Sequence, residues 1–168
     1  ATLFGYGVGR ALANRIVEKY GIQSAAIVQK HPYRLAAEIT GVGFKTADRI
    51  ARDVGIPTDD PARADAAVVF LLQDAQSSGH CFLPRREVLL LATQLGVEQT
   101  PIEQAIDRLQ LRGDVVLHRM PEPEAQPVYH PTLERAESRV ADRLMELQAT
   151  PTGVPVNPPL MGRLEQGL

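Results

Sequence analysis

The residues in this sequence whose types and spacing could most clearly bind a ligand lie in two short glycine turns. Each turn is followed by charged or polar side chains. Each turn has two glycines around a valine, and the two segments read Gly7-Val8-Gly9-Arg10 and Gly41-Val42-Gly43-Phe44-Lys45-Thr46. A glycine turn tolerates positive φ, and the start of a helix leaves backbone N–H groups unpaired at the positive end of its dipole. Such an end binds anions, and a nearby arginine or lysine adds a charge-assisted hydrogen bond. These residues therefore predict contact with phosphate groups, without recognition of bases.

The two turns belong to an internal repeat. The copy from Gly41 to Ile50 follows the copy from Gly7 to Ile16 at an offset of 34 positions, and both read Gly-Val-Gly, three residues, Ala, Asn or Asp, Arg and Ile. Similarity at a fixed spacing is typical of duplicated supersecondary units. The pattern predicts a helix after each turn, over 10–19 and 45–53, with the central valine in the core beneath the turn.

This arrangement resembles the tandem helix-hairpin-helix motif and predicts two such units within residues 1–56. The first unit is truncated, because the six residues before its turn are too few for a leading helix. The second unit is complete, with short helices predicted over 24–30 and 32–39. Many helix-hairpin-helix units serve only to pack against protein, so a role without DNA contact stays open.

Charge is distributed unevenly along the chain, although the net charge is only −2. The first 56 residues carry eight Lys and Arg against four Asp and Glu, whereas the remainder carries ten against sixteen. All three lysines, Lys19, Lys30 and Lys45, lie in the basic segment. A basic segment joined to an acidic one is expected where one part of a protein meets phosphate.

Residues 62–130 have the element order of a winged-helix-like unit. Apolar spacing and helix-start signals predict three helices and then a short β-hairpin, over 62–77, 84–95, 100–112, 115–118 and 128–130. The charges on the third helix balance, which favours packing over DNA reading, and only Arg85 and Arg86 form a basic spot.

A final amphipathic helix is predicted over 132–148, followed by a proline-rich segment, 149–168, whose composition is typical of a linker. The fold class is therefore mainly α: a tandem helix-hairpin-helix, a winged-helix-like unit with a short β-hairpin, and a final helix.

Several function classes are excluded or disfavoured by the residues. The single cysteine, Cys81, excludes a disulfide framework and a cysteine-rich zinc site, and fits a reducing cytoplasm. Gly43-Phe44-Lys45-Thr46 lacks the glycine spacing of an ATP-binding Walker A loop. No apolar run approaches the roughly 18 residues of a membrane span. We therefore expect no catalytic residues, no metal, no cofactor and no membrane contact for this chain.

Two segments carry a resemblance to a known family: His31-Pro32-Tyr33-Arg34-Leu35 and the stretch from Gly41 to Ala51. They resemble the N-terminal extension of RecD-like helicases of superfamily 1, in the long subgroup found without RecBC partners. Residues 79–85 and 134–137 fit the same region, so the resemblance covers about residues 1–148.

The resemblance implies a parent enzyme that hydrolyses ATP with Mg²⁺ and unwinds DNA in the 5′–3′ direction, in repair or recombination in the bacterial cytoplasm. The motor motifs do not occur in these 168 residues. The chain is thus expected to lie upstream of the motor, with the proline-rich segment leading to it. Its expected partners are that motor and single-stranded or junction DNA.

Three hypotheses follow from the sequence. The first is a sequence-independent DNA-binding accessory region of a RecD-like helicase. The second is an architectural module that docks the motor or a protein partner without touching DNA. The third is the DNA-gripping part of a structure-specific nuclease, which the family resemblance disfavours.

Overall fold

The computed structural model describes residues 8–149. Its described residues up to Arg135 form one compact unit, and the residues from Ala136 belong to a second one. Gly7 of the first glycine turn and residues 150–168 of the predicted linker lie outside the described residues.

The N-terminal part is helical, as the repeat predicts. A short 3-10 turn separates the first two of four helices: α1 (Arg10–Tyr20), α2 (Ser24–Lys30), α3 (Arg34–Glu38) and α4 (Phe44–Asp53). α3 begins later than predicted, because Pro32 and Tyr33 form a turn before it. α1 and α4 follow the two glycine turns, and one apolar core gathers residues from both copies, including Val8, Ile16, Val42 and Ile50.

Three longer helices follow in the predicted order: α5 (Pro61–Ser77), α6 (Arg85–Gln94) and α7 (Gln99–Arg112). α5 begins at a capped proline turn, where the Asp60 carboxylate accepts a hydrogen bond of 2.8 Å from the Ala62 N–H. α7 ends at Gly113, whose φ of +77° is the left-handed conformation that glycine adopts without strain.

The predicted β-hairpin is part of a three-stranded antiparallel sheet. Its strands are β1 (Phe82–Pro84), β2 (Val116–Leu117) and β3 (Pro127–Tyr129), in the spatial order β1-β3-β2. β2 pairs with β3 as expected, with Val116 opposite Tyr129. β1, which pairs Leu83 with Val128, was not predicted. Three residues that include a proline are too short to show the alternation by which strands are recognised.

α4 contributes to two apolar cores at once. Ile50 belongs to the core of the repeat, whereas Phe44, Ala47 and Ala51 belong to a larger core with residues of α5, α6, α7 and the sheet. The helix therefore lies between the repeat and the following helices. The proposed domain boundary between residues 56 and 62 stays a prediction.

The last helix, α8, spans Pro131–Ala149. From Ala136 on, α8 belongs to the second unit. In this part of the helix four large apolar side chains are more than half exposed: Val140, Leu144, Met145 and Leu147. Within residues 8–149, no helix is long and apolar enough to cross a membrane.

Candidate nucleic-acid interface

The second glycine turn is a type II β-turn that leads into α4. The Val42 N–H donates to the Ile39 carbonyl at 3.1 Å, and Gly41, the third residue of the turn, has a φ of +79°. No residue other than glycine has positive φ in the described chain, so Thr40 has the negative φ that a type II turn requires. Gly43 differs from Gly41, because its φ of −88° and ψ of 171° are extended values that any residue adopts. Of these two glycines, only Gly41 is needed for its conformation.

The N-terminus of α4 has free backbone donors. Its N-cap is Gly43, which has no side chain to cap the helix, and the N–H groups of Thr46 and Ala47 donate to the Gly43 carbonyl at 3.1 and 3.2 Å. The N–H groups of Phe44 and Lys45 precede the first of these bonds and have no intrahelical partner. The Lys45 side chain is exposed and forms no ion pair with any described residue. This end of α4 thus combines unpaired donors, the helix dipole and a free ammonium group.

The Phe44 side chain lies in the core and not at the surface. It is 1% exposed, and its ring centroid lies 6.2 Å from that of Tyr33 and 6.2 Å from that of Phe70. A residue at the first position of α4 faces α5 here, and the sequence pattern did not show that α5 covers this side. Val42 is buried beneath the turn, as the repeat predicts. Both residues can offer only backbone atoms to a ligand.

The first turn shares part of this geometry. Val8 is buried, and Gly9 is the N-cap of α1, with φ −66° and ψ 156° and no side-chain cap. Arg10, the first residue of α1, is exposed and forms no ion pair with a described residue. Because Gly7 lies outside the described residues, the structure places only part of this predicted site.

Arg15 joins the two copies of the repeat. It projects from α1, and its Nη1 donates a short hydrogen bond to the carbonyl of Thr40, within the second turn. The same nitrogen lies 3.2 Å from the point where a Cβ on Gly41 would stand. Arg15 was not predicted as a site residue, although both copies of the repeat carry an arginine at this position.

A buried ionic cluster holds α4 against the helices that follow. The Asp48 carboxylate accepts hydrogen bonds from Arg63 Nε at 2.8 Å, from Tyr33 Oη at 2.9 Å and from Arg52. Arg63 also donates to the carbonyl of Gly96 at 3.0 Å, between α6 and α7. The side chains of Asp48 and Arg63 are 4% and 9% exposed, so both charges are removed from water.

The protonation of this cluster follows from its contacts. Burial raises the pKa of Asp48, but hydrogen bonds from Arg63, Arg52 and Tyr33 outweigh burial and hold the pKa below its ordinary value. Burial and the hydrogen bond to Asp48 raise the pKa of Tyr33. The cluster is therefore an ionised Asp48–Arg63 pair with a neutral tyrosine. This cluster could not be predicted from sequence patterns, because its central pair, Asp48 and Arg63, joins residues 15 positions apart on α4 and α5.

The charges near the second turn differ between its sides. A cleft of about 450 Å³ beside the turn is lined by Thr40, Gly41 and Gly43, but also by Glu38 and Asp74. Glu38 is paired with Arg34 at 2.7 Å, so its charge is partly offset. Lys45 does not line the cleft. Two carboxylates therefore line this cleft, and the exposed Lys45 lies outside it.

The described residues contain no group of three or more His, Cys, Asp or Glu side chains that could hold a metal ion. The exposed Cys81 forms no disulfide with a described residue.

Comparison with known proteins gives two findings. Residues 1–82 match a family model described as the ATP-dependent RecD2 DNA helicase HHH domain. An ATP-dependent RecD2 DNA helicase of Deinococcus radiodurans is 32% identical over 164 residues, which cover 90% of this chain and 22% of that protein. The chain thus spans less than a quarter of the length of that relative. These matches confirm the resemblance stated from the sequence, because residues 1–82 are similar to that helix-hairpin-helix domain and 90% of the chain is similar to part of that helicase.

Proposed function

We propose that this chain is a non-catalytic accessory region of an ATP-dependent DNA helicase, and that it holds the DNA backbone through its glycine turns. The observation that carries the proposal is the start of α4, where an uncapped helix N-terminus and the free Lys45 side chain lie beside the type II turn. The match to a helicase helix-hairpin-helix domain supports the same reading.

The second turn would supply most of the binding. A phosphate oxygen would accept hydrogen bonds from the N–H groups at the start of α4, while Lys45 and the hydroxyl of Thr46 would contact the same phosphate or the next one. The first turn would add Arg10 and the N–H groups at the start of α1. All these groups reach phosphates and not base edges, so binding would be independent of sequence.

The remaining features of the parent are part of the proposal. They are a motor domain that uses ATP and Mg²⁺, 5′–3′ unwinding, a role in repair or recombination in the bacterial cytoplasm, and single-stranded or junction DNA as the ligand. The similarity to the Deinococcus helicase supports the motor, because that protein is named as ATP-dependent.

An architectural role is the second candidate, and the Asp48–Arg63 cluster favours it. The cluster and the burial of Phe44 fix α4 to the following helices, which shows that α4 also serves in packing. Under this hypothesis the turns would be structural, and the chain would dock a motor or protein partner without binding DNA.

Titration with fluorescent single-stranded, duplex and 5′-tailed DNA separates the two hypotheses. Anisotropy across a salt series should show binding whose log–log salt slope on duplex is about −0.9 for each phosphate engaged. Lys45→Glu should weaken binding on all sequences alike and reduce the size of this slope by about 1.

Lys30→Glu is the matched control, because it reverses the same charge at the C-terminal end of α2, away from a helix N-terminus. It should weaken binding less and leave the slope nearer to that of the unmodified chain. No binding at low salt would reject DNA contact and leave the architectural role. Equal losses from both variants would reject the specific contact at the second turn and show that binding depends only on overall charge.

A further inference from the structure

The contact between Arg15 and Thr40 has a consequence for the second turn. Thr40 and Gly41 are the central residues of this turn, and the peptide unit between them carries the carbonyl to which Arg15 donates. Type I and type II turns differ mainly in the orientation of this central peptide unit. A donor fixed on the Thr40 carbonyl therefore stabilises one of the two orientations.

Arg15 is anchored on a rigid element. Ala13 and Ile16, which flank it on α1, are 5% and 0% exposed and belong to the core that also contains Val42. α1 and the second turn are thus held by the same core, and the Arg15 side chain bridges them at the surface. Arg15 forms no ion pair with a described carboxylate, so its hydrogen bond to Thr40 does not compete with one.

We propose that Arg15 is a positioning residue for DNA binding: from the first copy of the repeat, it holds the second turn in its type II conformation. The proposal rests on the proposed function, because it concerns the same phosphate-binding turn. The Thr40 carbonyl faces Arg15, and in a trans peptide the N–H of Gly41 points the opposite way. If this peptide unit rotated to the type I orientation, the Thr40 carbonyl would point where the Gly41 N–H now points, and the turn would present an acceptor in place of a donor on that side.

The test uses Arg15→Met, which removes the donor, and Arg15→Lys, which keeps a charged donor. Lys19→Met is the control, because it removes the same charge from α1 one helical turn further on. We expect Arg15→Met to weaken binding of tailed duplex DNA about fivefold. Without the Arg15 hydrogen bond, the turn would populate its binding conformation only part of the time, and the apparent affinity falls by that fraction. Arg15→Lys should recover part of this loss, and Lys19→Met should cost less than Arg15→Met.

A second readout separates positioning from direct contact with DNA. The nuclear Overhauser effect between the Thr40 Hα and the Gly41 N–H reports the orientation of the central peptide unit, because these protons lie close together in a type II turn and farther apart in a type I turn. In the absence of DNA it should weaken in Arg15→Met and should not change in Lys19→Met. An unchanged effect and unchanged affinity in Arg15→Met, with Lys45→Glu still weakening binding, would overturn the positioning role and leave the proposed function intact. Weaker binding with an unchanged effect would also overturn it, in favour of direct contact. If the unmodified chain binds no DNA, the proposed function itself fails, together with the role of Arg15 in it.

Discussion

Replacing Asp48 with alanine should destabilise the fold more than most single changes in this chain. The substitution removes the carboxylate that accepts from Arg63 at 2.8 and 3.3 Å and from Tyr33 at 2.9 Å. The Arg63 side chain, 9% exposed, would then have no carboxylate partner among the described residues and would keep its contacts with the carbonyls of Gly96 and Thr58. Removing one partner of a buried ion pair costs about 3–5 kcal/mol, because the other charge stays desolvated. Arg52 adds little to this, since its side chain is 58% exposed.

Urea unfolding followed by circular dichroism measures this loss as a change in the free energy of unfolding. Tyr33→Phe, which removes one hydrogen bond to the carboxylate, should cost about 1.5–3 kcal/mol. The double variant Asp48→Leu/Arg63→Met should be more stable than Asp48→Ala, because it leaves no unpaired buried charge. A loss below about 1 kcal/mol in Asp48→Ala would refute the reasoning. If that variant does not fold, the Tyr33→Phe value and the recovery in the double variant decide the question.

Two further predictions concern pH and the glycines. Because the folded pKa of Asp48 lies below its ordinary value of 3.8, its stabilisation is present above that pH and is lost as the pH falls through the folded pKa. The urea midpoint should therefore fall under acid conditions, and less steeply in Asp48→Asn; equal slopes would contradict the assignment. Gly41→Ala should cost about 1–2 kcal/mol, because alanine is strained at a φ of +79°. Gly43→Ala should change the free energy of unfolding by less than about 0.5 kcal/mol, since its Cβ would meet only Phe70, at 3.6 Å. Thermal or urea unfolding measures both variants. Similar losses in Gly41→Ala and Gly43→Ala would contradict the difference between these glycines.

The repeat in the sequence predicted the helices of the N-terminal part because it encodes local structure. A glycine turn followed by apolar residues at helical spacing specifies where a helix begins and which side it buries, so α1, α4 and the buried Val42 agree with the prediction. The same local signals gave the order of α5, α6 and α7, where Asp60 and Gly113 mark two of the ends. β1 was not predicted, because the residues of β3 with which it pairs lie more than forty positions later in the sequence.

The candidate site was only partly predictable for a related reason. Lys45 is exposed as its position after the turn suggests, but the burial of Phe44 depends on α5, which the spacing of residues 41–50 does not describe. The Arg15–Thr40 and Asp48–Arg63 contacts likewise join separate segments. A single amino-acid sequence does not record which distant side chains meet in the fold.

The differences between the two copies indicate how their roles have separated. Phe44 and Asp48, which attach α4 to the following helices, correspond in the first copy to Arg10 and Asn14, and both of these are exposed. α1 therefore lacks the residues by which α4 docks, whereas the arginine that reaches across the repeat is present in it as Arg15. The second turn is consequently supported from two directions, by the ionic cluster on one side of α4 and by α1 on the other. Because preorganised donors bind a ligand at a lower entropic cost than mobile ones, this support is a physical reason to expect that, if the proposed phosphate binding holds, the second turn makes the stronger contact.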